Sequence, residues 1–427
     1  MGGMNLDPPR LPVSDLQPGG GVPAMTTLAS LAAAIAAARD KTDALFALLT
    51  PAALYERAVA ERHRFIFYLG HVEAFDWNLC RSELGLGAGT ELDRLFAFGI
   101  DPDRSCPDAL PCDKATDWPA AAAVKAYQRE RRDLFDRHSP ALPPQLLHVV
   151  LEHRLMHAET LCYLMHWLQL EQKQLIAPPR LDSRPAPDPA VVTIPAGTAT
   201  LGRRDGFGWD NEFAEHTVKV PAFAVDKYKV TNQQYLRFVQ EGGPVPLFWR
   251  ATDSGFVLRC MFGEIPLPPS WPVYATHEQA SAYARWAGRA LPTEAQFHRA
   301  AYADPQAAGE REYPWGSEPP RPAHGNFDFQ HWDPVPVDAT PEGDSALGVA
   351  QLVGNGWEWT GTPFAPFAGF ARFPFYPGYS ADFFDGEHFV IKGGSPRTAG
   401  CMLRRSFRNW FRPNYRYVYA GFRCVDP

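Results

Sequence analysis

Residues 151–168 read LEHRLMHAETLCYLMHWL, a run without glycine or proline whose spacing is that of an amphipathic helix. Helical geometry places His153 and His157 about 40° apart on one face, within reach of a single metal ion. Glu159 projects about 200° away from His157, so a third ligand has to come from another helix. The plain alternative is a pair of histidines engaged in packing and solvent contact, and the spacing alone does not separate the two.

Upstream, Pro143-Pro144 opens this helix, and a helix charged on one face is expected over 120–137. The segment RFIFYLGHVEAFDWNLCRSE, 64–83, is helical and carries His71. Ala/Leu spacing predicts a first helix over 26–49. Thr50-Pro51 is a helix-start signal that should lead a helical stretch on into 64–83. Residues 85–119 read as a loop. Four helices with short connections apart from one predict a four-helix bundle, in which metal sites form from inward-facing side chains on different helices. His71 is the candidate third ligand; its alternative is a half-buried core histidine bonded to a carbonyl.

Downstream, APPRLDSRPAPDP at 177–189 is a Pro-rich connector, and beyond it the texture changes. Short strands are expected at 191–194, 217–220, 223–225 and 389–391, with helices at 277–286 and from Thr293-Glu294. The Gly, Pro, Trp and Tyr content of 310–427 predicts ordered loops on a small sheet, the kind that lines binding sites. The expected organisation is α+β, with a loose tail at 1–25, a helical bundle at 26–177, a linker at 178–189 and a loop-rich domain at 190–427.

Composition narrows the function. A chain of 427 residues, 45% hydrophobic and 21% charged, is globular and long enough for two domains. A net charge of −7 without a basic run argues against nucleic acid as a partner. No apolar stretch of about 20 residues is present to span a membrane. The Ala-rich run at 28–38 follows Asp7 and Asp15 without a basic leader, so it reads as a helix of the fold. Seven cysteines with no CxxC pair argue against a zinc ribbon or a dithiol centre and suggest free thiols in the cytoplasm.

The second half resembles the formylglycine-generating-enzyme-like domain, itself related to C-type-lectin-like folds. The shared segments are VVTIPAGTATLG (191–202), DNEFAEH (210–216), DKYKVTNQQYLRFV (226–239), AYARWAGRALPTEAQF (282–297), GNGWEWT (354–360), KGGS (392–395) and YAGFRCV (419–425). The first half, with His71 and HRLMHAE, resembles a DinB-type bundle. Together they are similar to the ergothioneine-type sulfoxide synthases, iron(II) enzymes that use O2 to join a sulfur donor to the imidazole of hercynine. The resemblance implies iron ligands at His71, His153 and His157. It implies a proton donor at Tyr376 and a binding role for Tyr379. Asn409 and Trp410 would hold the amino-acid end of hercynine. A structural calcium ion in the second domain is compatible with the same resemblance.

Two departures bear on the donor. Relatives that use γ-glutamylcysteine place Asp where this chain has Phe411, and Gln where it has Met156. The 96–118 loop is rich in Asp (Asp101, Asp103, Asp108, Asp113 and Asp117), and FYLGHVEAFDWNL at 67–79 is most similar to the selenoneine synthase branch. The leading expectation is therefore a carbon–selenium bond between hercynine and a selenosugar, 1-seleno-glucose. The alternative is a hercynine sulfoxide synthase using cysteine or γ-glutamylcysteine. Two further alternatives are a formylglycine-generating oxidase built on Cys401 and Cys424, and a non-catalytic ligand-binding module.

Overall fold

The computed structural model describes residues 28–97, 114–307 and 309–427. The tail expected at 1–25, Cys106, Cys112 and most of the Asp-rich loop lie outside the described residues.

Among the described residues the first half contains four long helices, α1 (Leu28–Ala47), α2 (Phe65–Glu83), α4 (Ala121–His138) and α5 (Pro144–His166), with a short α3 (Glu91–Leu95) between α2 and α4. Helix α1 packs along α5, and α2 lies against both α4 and α5, which is the expected bundle. One expectation fails. Thr50 is followed only by a single helical turn, Ala53–Tyr55, from whose first N–H it accepts at 3.4 Å, and α2 does not begin until Phe65. Arginines take up local carbonyls in between: Arg57 Nε donates to Arg62 O at 2.8 Å and Arg64 Nη1 to Tyr55 O at 2.6 Å. Side chains thus compete with the helical ladder there. The short α3 also lies in the stretch expected to be loop; its signal is a capping box in which Thr90 and Asp93 bond each other reciprocally.

Helix α5 is buried from Leu146 to His166 apart from half-buried His148 and Met156. A helix enclosed on all sides is usually apolar, yet this one carries charge on two faces. Toward α2, Arg154 Nη2 meets Glu73 Oε2 at 2.8 Å and Asp76 Oδ2 at 2.5 Å, all three side chains being out of contact with water. Toward the second domain, Glu152, Glu159 and His166 follow one another at seven-residue spacing, which drifts only about 20° per step and forms one stripe. Glu152 accepts from Trp209 Nε1 (2.8 Å) and Arg404 Nη1 (2.6 Å). Glu159 accepts from Trp357 Nε1 (2.7 Å), Ser395 Oγ (2.6 Å) and Thr398 Oγ1 (2.9 Å). His166 bonds the Tyr419 hydroxyl at 3.0 Å. Glu159, excluded from the metal face by its angle, is thus a domain-joining residue. Glu159→Ala orphans three buried donors, each worth about 1–3 kcal/mol. A clear fall in the urea midpoint is expected, and an unchanged midpoint would show that the seam is dispensable.

The second half is built of short strands and loops. Strands β1 (Val191–Ile194), β2 (Gly197–Leu201), β3 (His216–Val220) and β4 (Phe223–Asp226) form two antiparallel pairs, β1 with β4 and β2 with β3. Strands β5 (Trp249–Thr252), β6 (Gly255–Cys260) and β7 (Gly263–Pro266) make a three-stranded sheet. The sheet beneath the site contains β8 (Trp357–Pro363), β9 (Phe389–Lys392), β10 (Asn409–Phe411) and β11 (Ala420–Gly421), in the order β10-β9-β8-β11. Helices α6 (Asn232–Gln240), α7 (His277–Trp286) and α8 (Glu294–Tyr302) each start at a Thr-x-x-Gln capping box. Helix α6 is an addition to the elements expected from the sequence, and its box, Thr231 with Gln234, is the local signal for it.

The Arg154 cluster predicts a pH effect. Burial lifts the Asp76 carboxyl to about 6 against the pull of Arg154. A carboxyl raised on folding gives up stability as pH climbs from its unfolded value of about 3.9 through about 6. Asp76→Asn removes that term. The variant should therefore gain on the parent between about pH 4 and pH 6, read from urea midpoints at the two ends of that window. A constant difference would contradict it.

Candidate metal centre

Helix α5 supplies His153 and His157, and α2 supplies His71; the three are buried and their ligand atoms lie within 4.8 Å of one another. His157 Nε2 is 3.2 Å from His71 Nε2 and 3.1 Å from His153 Nε2. Burial holds all three imidazoles in the neutral form. His71 is brought to about 4, with the Phe96 carbonyl opposing the shift, and His153 and His157 are pushed well below the usual range by burial and then by their neighbours.

The donor set itself tests for a cation. A neutral imidazole has one N–H and one lone pair. His71 Nδ1 donates to Phe96 O at 2.7 Å, so its Nε2 presents a lone pair to the cluster. His157 Nε2 faces that lone pair and, on its other side, His153 Nε2, with at most one proton of its own to share between them. A divalent cation relieves that crowding by accepting all three lone pairs, and a neutral imidazole set suits iron. Stacked rings hold the imidazoles in place: Phe75 on His153 at 3.4 Å and Phe67 on His71 at 4.8 Å between centroids.

The second domain brings a tyrosine loop to this centre. The Tyr376 ring lies 6.3 Å from His153 and 5.3 Å from Phe75, and burial followed by the charge of Asp210 pushes its hydroxyl up to about 12. The Tyr379 hydroxyl donates to Met156 Sδ at 3.5 Å, and its ring stacks on Trp209 at 4.0 Å. Trp410 approaches Tyr379 edge-on at 5.5 Å and stacks on Phe364 at 4.1 Å. Met156, Tyr376, Tyr379 and Trp410 thus form one continuous set of contacts with the histidines. Asn409 and Phe411 flank Trp410 on β10. Asn409 Oδ1 accepts from the Trp410 backbone N–H at 2.9 Å, and Phe411 stacks on Tyr415 at 4.8 Å. A cavity of about 380 Å³ opens on His71 and Tyr376, with Phe75, Asn78, Arg81 and Phe375 among its walls.

Two site residues were not foreseen. Trp209, fully buried, joins Tyr379 to Glu152 of α5. Asp210 Oδ1 accepts from Ser380 Oγ at 2.5 Å, and the Phe373 backbone also bears on this carboxyl, so one buried side chain holds both ends of the tyrosine loop. The segment DNEFAEH marked Asp210 as a family position, but no local spacing links it to a loop more than 160 residues away.

Residues 178–427 match the model of the sulfatase-modifying factor enzyme 1-like domain. The hercynine oxygenase of Mycolicibacterium smegmatis is 34% identical over 368 residues, covering 78% of this chain and 83% of that protein. The hercynine oxygenase of Mycobacterium tuberculosis is 37% identical over 238 residues, 51% of this chain and 55% of its own length. The formylglycine-generating enzyme of Bos taurus is 30% identical over 293 residues, 57% of this chain and 76% of that one. The match to the Mycobacterium protein, like several others, spans only about half of the relative. The Mycolicibacterium match, by contrast, covers more of the chain than its second domain holds. The chain therefore belongs to the hercynine oxygenase family, with its second half built on the sulfatase-modifying factor enzyme 1-like domain.

Proposed function

We propose that the protein is an iron(II)-dependent oxygenase that acts on hercynine and joins its imidazole to a chalcogen donor. The observation that carries this reading is the buried trio His71, His153 and His157, three neutral ligands of which His71 faces a cavity lined from both domains. Iron(II), when bound, supplies O2 activation and a point at which the reactants gather. The chain's own residues bind, orient and handle protons. Tyr376, kept protonated far above neutral pH, is available to donate its phenolic proton beside His153. Trp410 and Tyr379 offer aromatic surface to the quaternary ammonium of hercynine, and Asn409 stands on the same strand to meet its carboxylate.

The relatives' names, hercynine oxygenase and ergothioneine biosynthesis protein 1, favour a sulfur donor such as cysteine or γ-glutamylcysteine. A second reading, a selenosugar donor, is supported by the apolar character of Met156, which receives the Tyr379 hydroxyl, and of Phe411. Enzyme reconstituted with iron(II) under anaerobic conditions and given hercynine, O2 and equal amounts of cysteine, γ-glutamylcysteine and 1-seleno-glucose decides between them by product mass. A dominant thiol adduct would remove the selenium reading, and a dominant selenium adduct the sulfur reading. No coupled product with any donor would overturn the function. A formylglycine-generating oxidase, by contrast, would leave the buried histidine trio without a role.

Tyr376→Phe is expected to retain stoichiometric iron while the rate of coupled product falls by about 10²–10⁴, the usual worth of a positioned acid. A variant with full rate would remove Tyr376 from the chemistry.

A further inference from the structure

Gly70 sits inside α2, one residue before a metal-ligand histidine, at a position where glycine costs helix stability and alanine would be the better former. Its φ is not in the left-handed region, so backbone freedom does not explain it. Space does: a Cβ on Gly70 would lie 2.5 Å from Cδ2, Cε2 and Cζ of Phe96. The missing side chain lets the Phe96 ring lie flat against α2. That ring, fully buried, is stacked on Trp118 at 6.3 Å and leans on Tyr127 at 5.5 Å.

The Phe96 backbone ends α3, and its carbonyl is the group that accepts from His71 Nδ1 at 2.7 Å. Other elements fix its position. Asp93 Oδ1 accepts from Arg131 Nε (2.6 Å) and the Tyr127 hydroxyl (2.8 Å), both on α4. The Asp93 backbone carbonyl accepts from Asn78 Nδ2 of α2 at 3.0 Å, and Thr90 closes the other side of the turn. Three helices thus converge to hold one carbonyl.

We infer that Gly70, Phe96 and the Asp93–Arg131 latch form a positioning seat for His71, which fixes its tautomer and aims its Nε2 at the metal. Hydrogen-bond partners of ligand histidines commonly set metal affinity, and their loss costs about 10- to 100-fold. None of these residues lines the cavity; they act through His71. The inference rests on the metal-centre reading, and its test separates the two.

Metal-free full-length protein is titrated anaerobically with iron(II), and in parallel with cobalt(II), whose visible bands report coordination geometry. Gly70→Ala should bind both metals about 10- to 100-fold more weakly and shift the cobalt bands. Adding Phe96→Leu, which clears the ring from the new methyl group, should restore affinity and spectrum toward those of the parent. Unchanged affinity and bands in Gly70→Ala would overturn the seat. If that variant does not fold, Asp93→Asn decides in its place: weaker metal binding supports the seat and unchanged binding overturns it. Failure of the parent protein to bind either metal would overturn the metal centre and the seat together.

Discussion

An Arg154→Met protein is expected to lose about 3–5 kcal/mol of stability. Arg154 is fully buried and serves two carboxylates that are themselves buried, Glu73 through both oxygens and Asp76 through one. Methionine fills much of the same volume, so the loss arises from charge and not from a cavity. Glu73 keeps Arg132 at 2.7 Å, whereas Asp76 loses its ion-pair partner and must protonate or remain uncompensated. A total stability of about 5–15 kcal/mol makes such a loss threatening to folding at ordinary temperature. The sharper check is the triple variant with Glu73→Gln and Asp76→Asn, in which neither carboxylate that faced Arg154 is left. It should recover a large part of the deficit, because well-packed neutral replacements of buried ion clusters are often tolerated. Urea unfolding measures both, and an Arg154→Met midpoint equal to that of the parent would refute the electrostatic account.

The second large effect concerns His157→Ala. Its Nε2 is the hub of the trio, near 3 Å from both partners, whereas His71 and His153 are linked through it. Removing it leaves two ligands facing a void, and metal binding should weaken by well over the ~100-fold that a lost outer-shell partner costs. Iron content after anaerobic reconstitution and gel filtration should fall from about one per chain toward zero. Thermal unfolding gives an independent measure. Metal at about 100 times its Kd stabilises the parent by about 2.7 kcal/mol, and the variant should show no such rise on adding iron(II). Retained stoichiometric iron would move the centre elsewhere.

Much of this molecule was legible because its signals are local. The α5 run carried its own period, Pro143-Pro144 marked its start, and the angle between His157 and Glu159 told that the glutamate faced away from the metal. What Glu159 faces was not legible, because Trp357, Ser395 and Thr398 reach it across about 200 residues of sequence. The same holds for the tyrosine loop. FPFYPGYS shows two tyrosines three apart, but its anchoring by Asp210 and Trp209 is a tertiary fact. The mistaken continuation from Thr50 into α2 has the opposite cause. A sound local start signal was overridden where arginines captured the carbonyls a helix would have needed. Family resemblance supplied the trio as a set, and the structure adds one reason it is coherent: the Phe96 carbonyl dictates the His71 tautomer, which turns its Nε2 lone pair toward His157.

The stripe of Glu152, Glu159 and His166 has a consequence for how such proteins can be recombined. Each half is completed by hydrogen bonds that the other donates, so neither is a portable module. A chimaera that grafts this bundle onto a foreign loop-rich domain would inherit two buried carboxylates whose former partners, Arg404 and Trp209 for one and Trp357, Ser395 and Thr398 for the other, must be supplied by the recipient. Exchange between relatives is therefore restricted to donors and recipients that match at those five positions, and the metal-bearing helix and the substrate-bearing loops are constrained to change together.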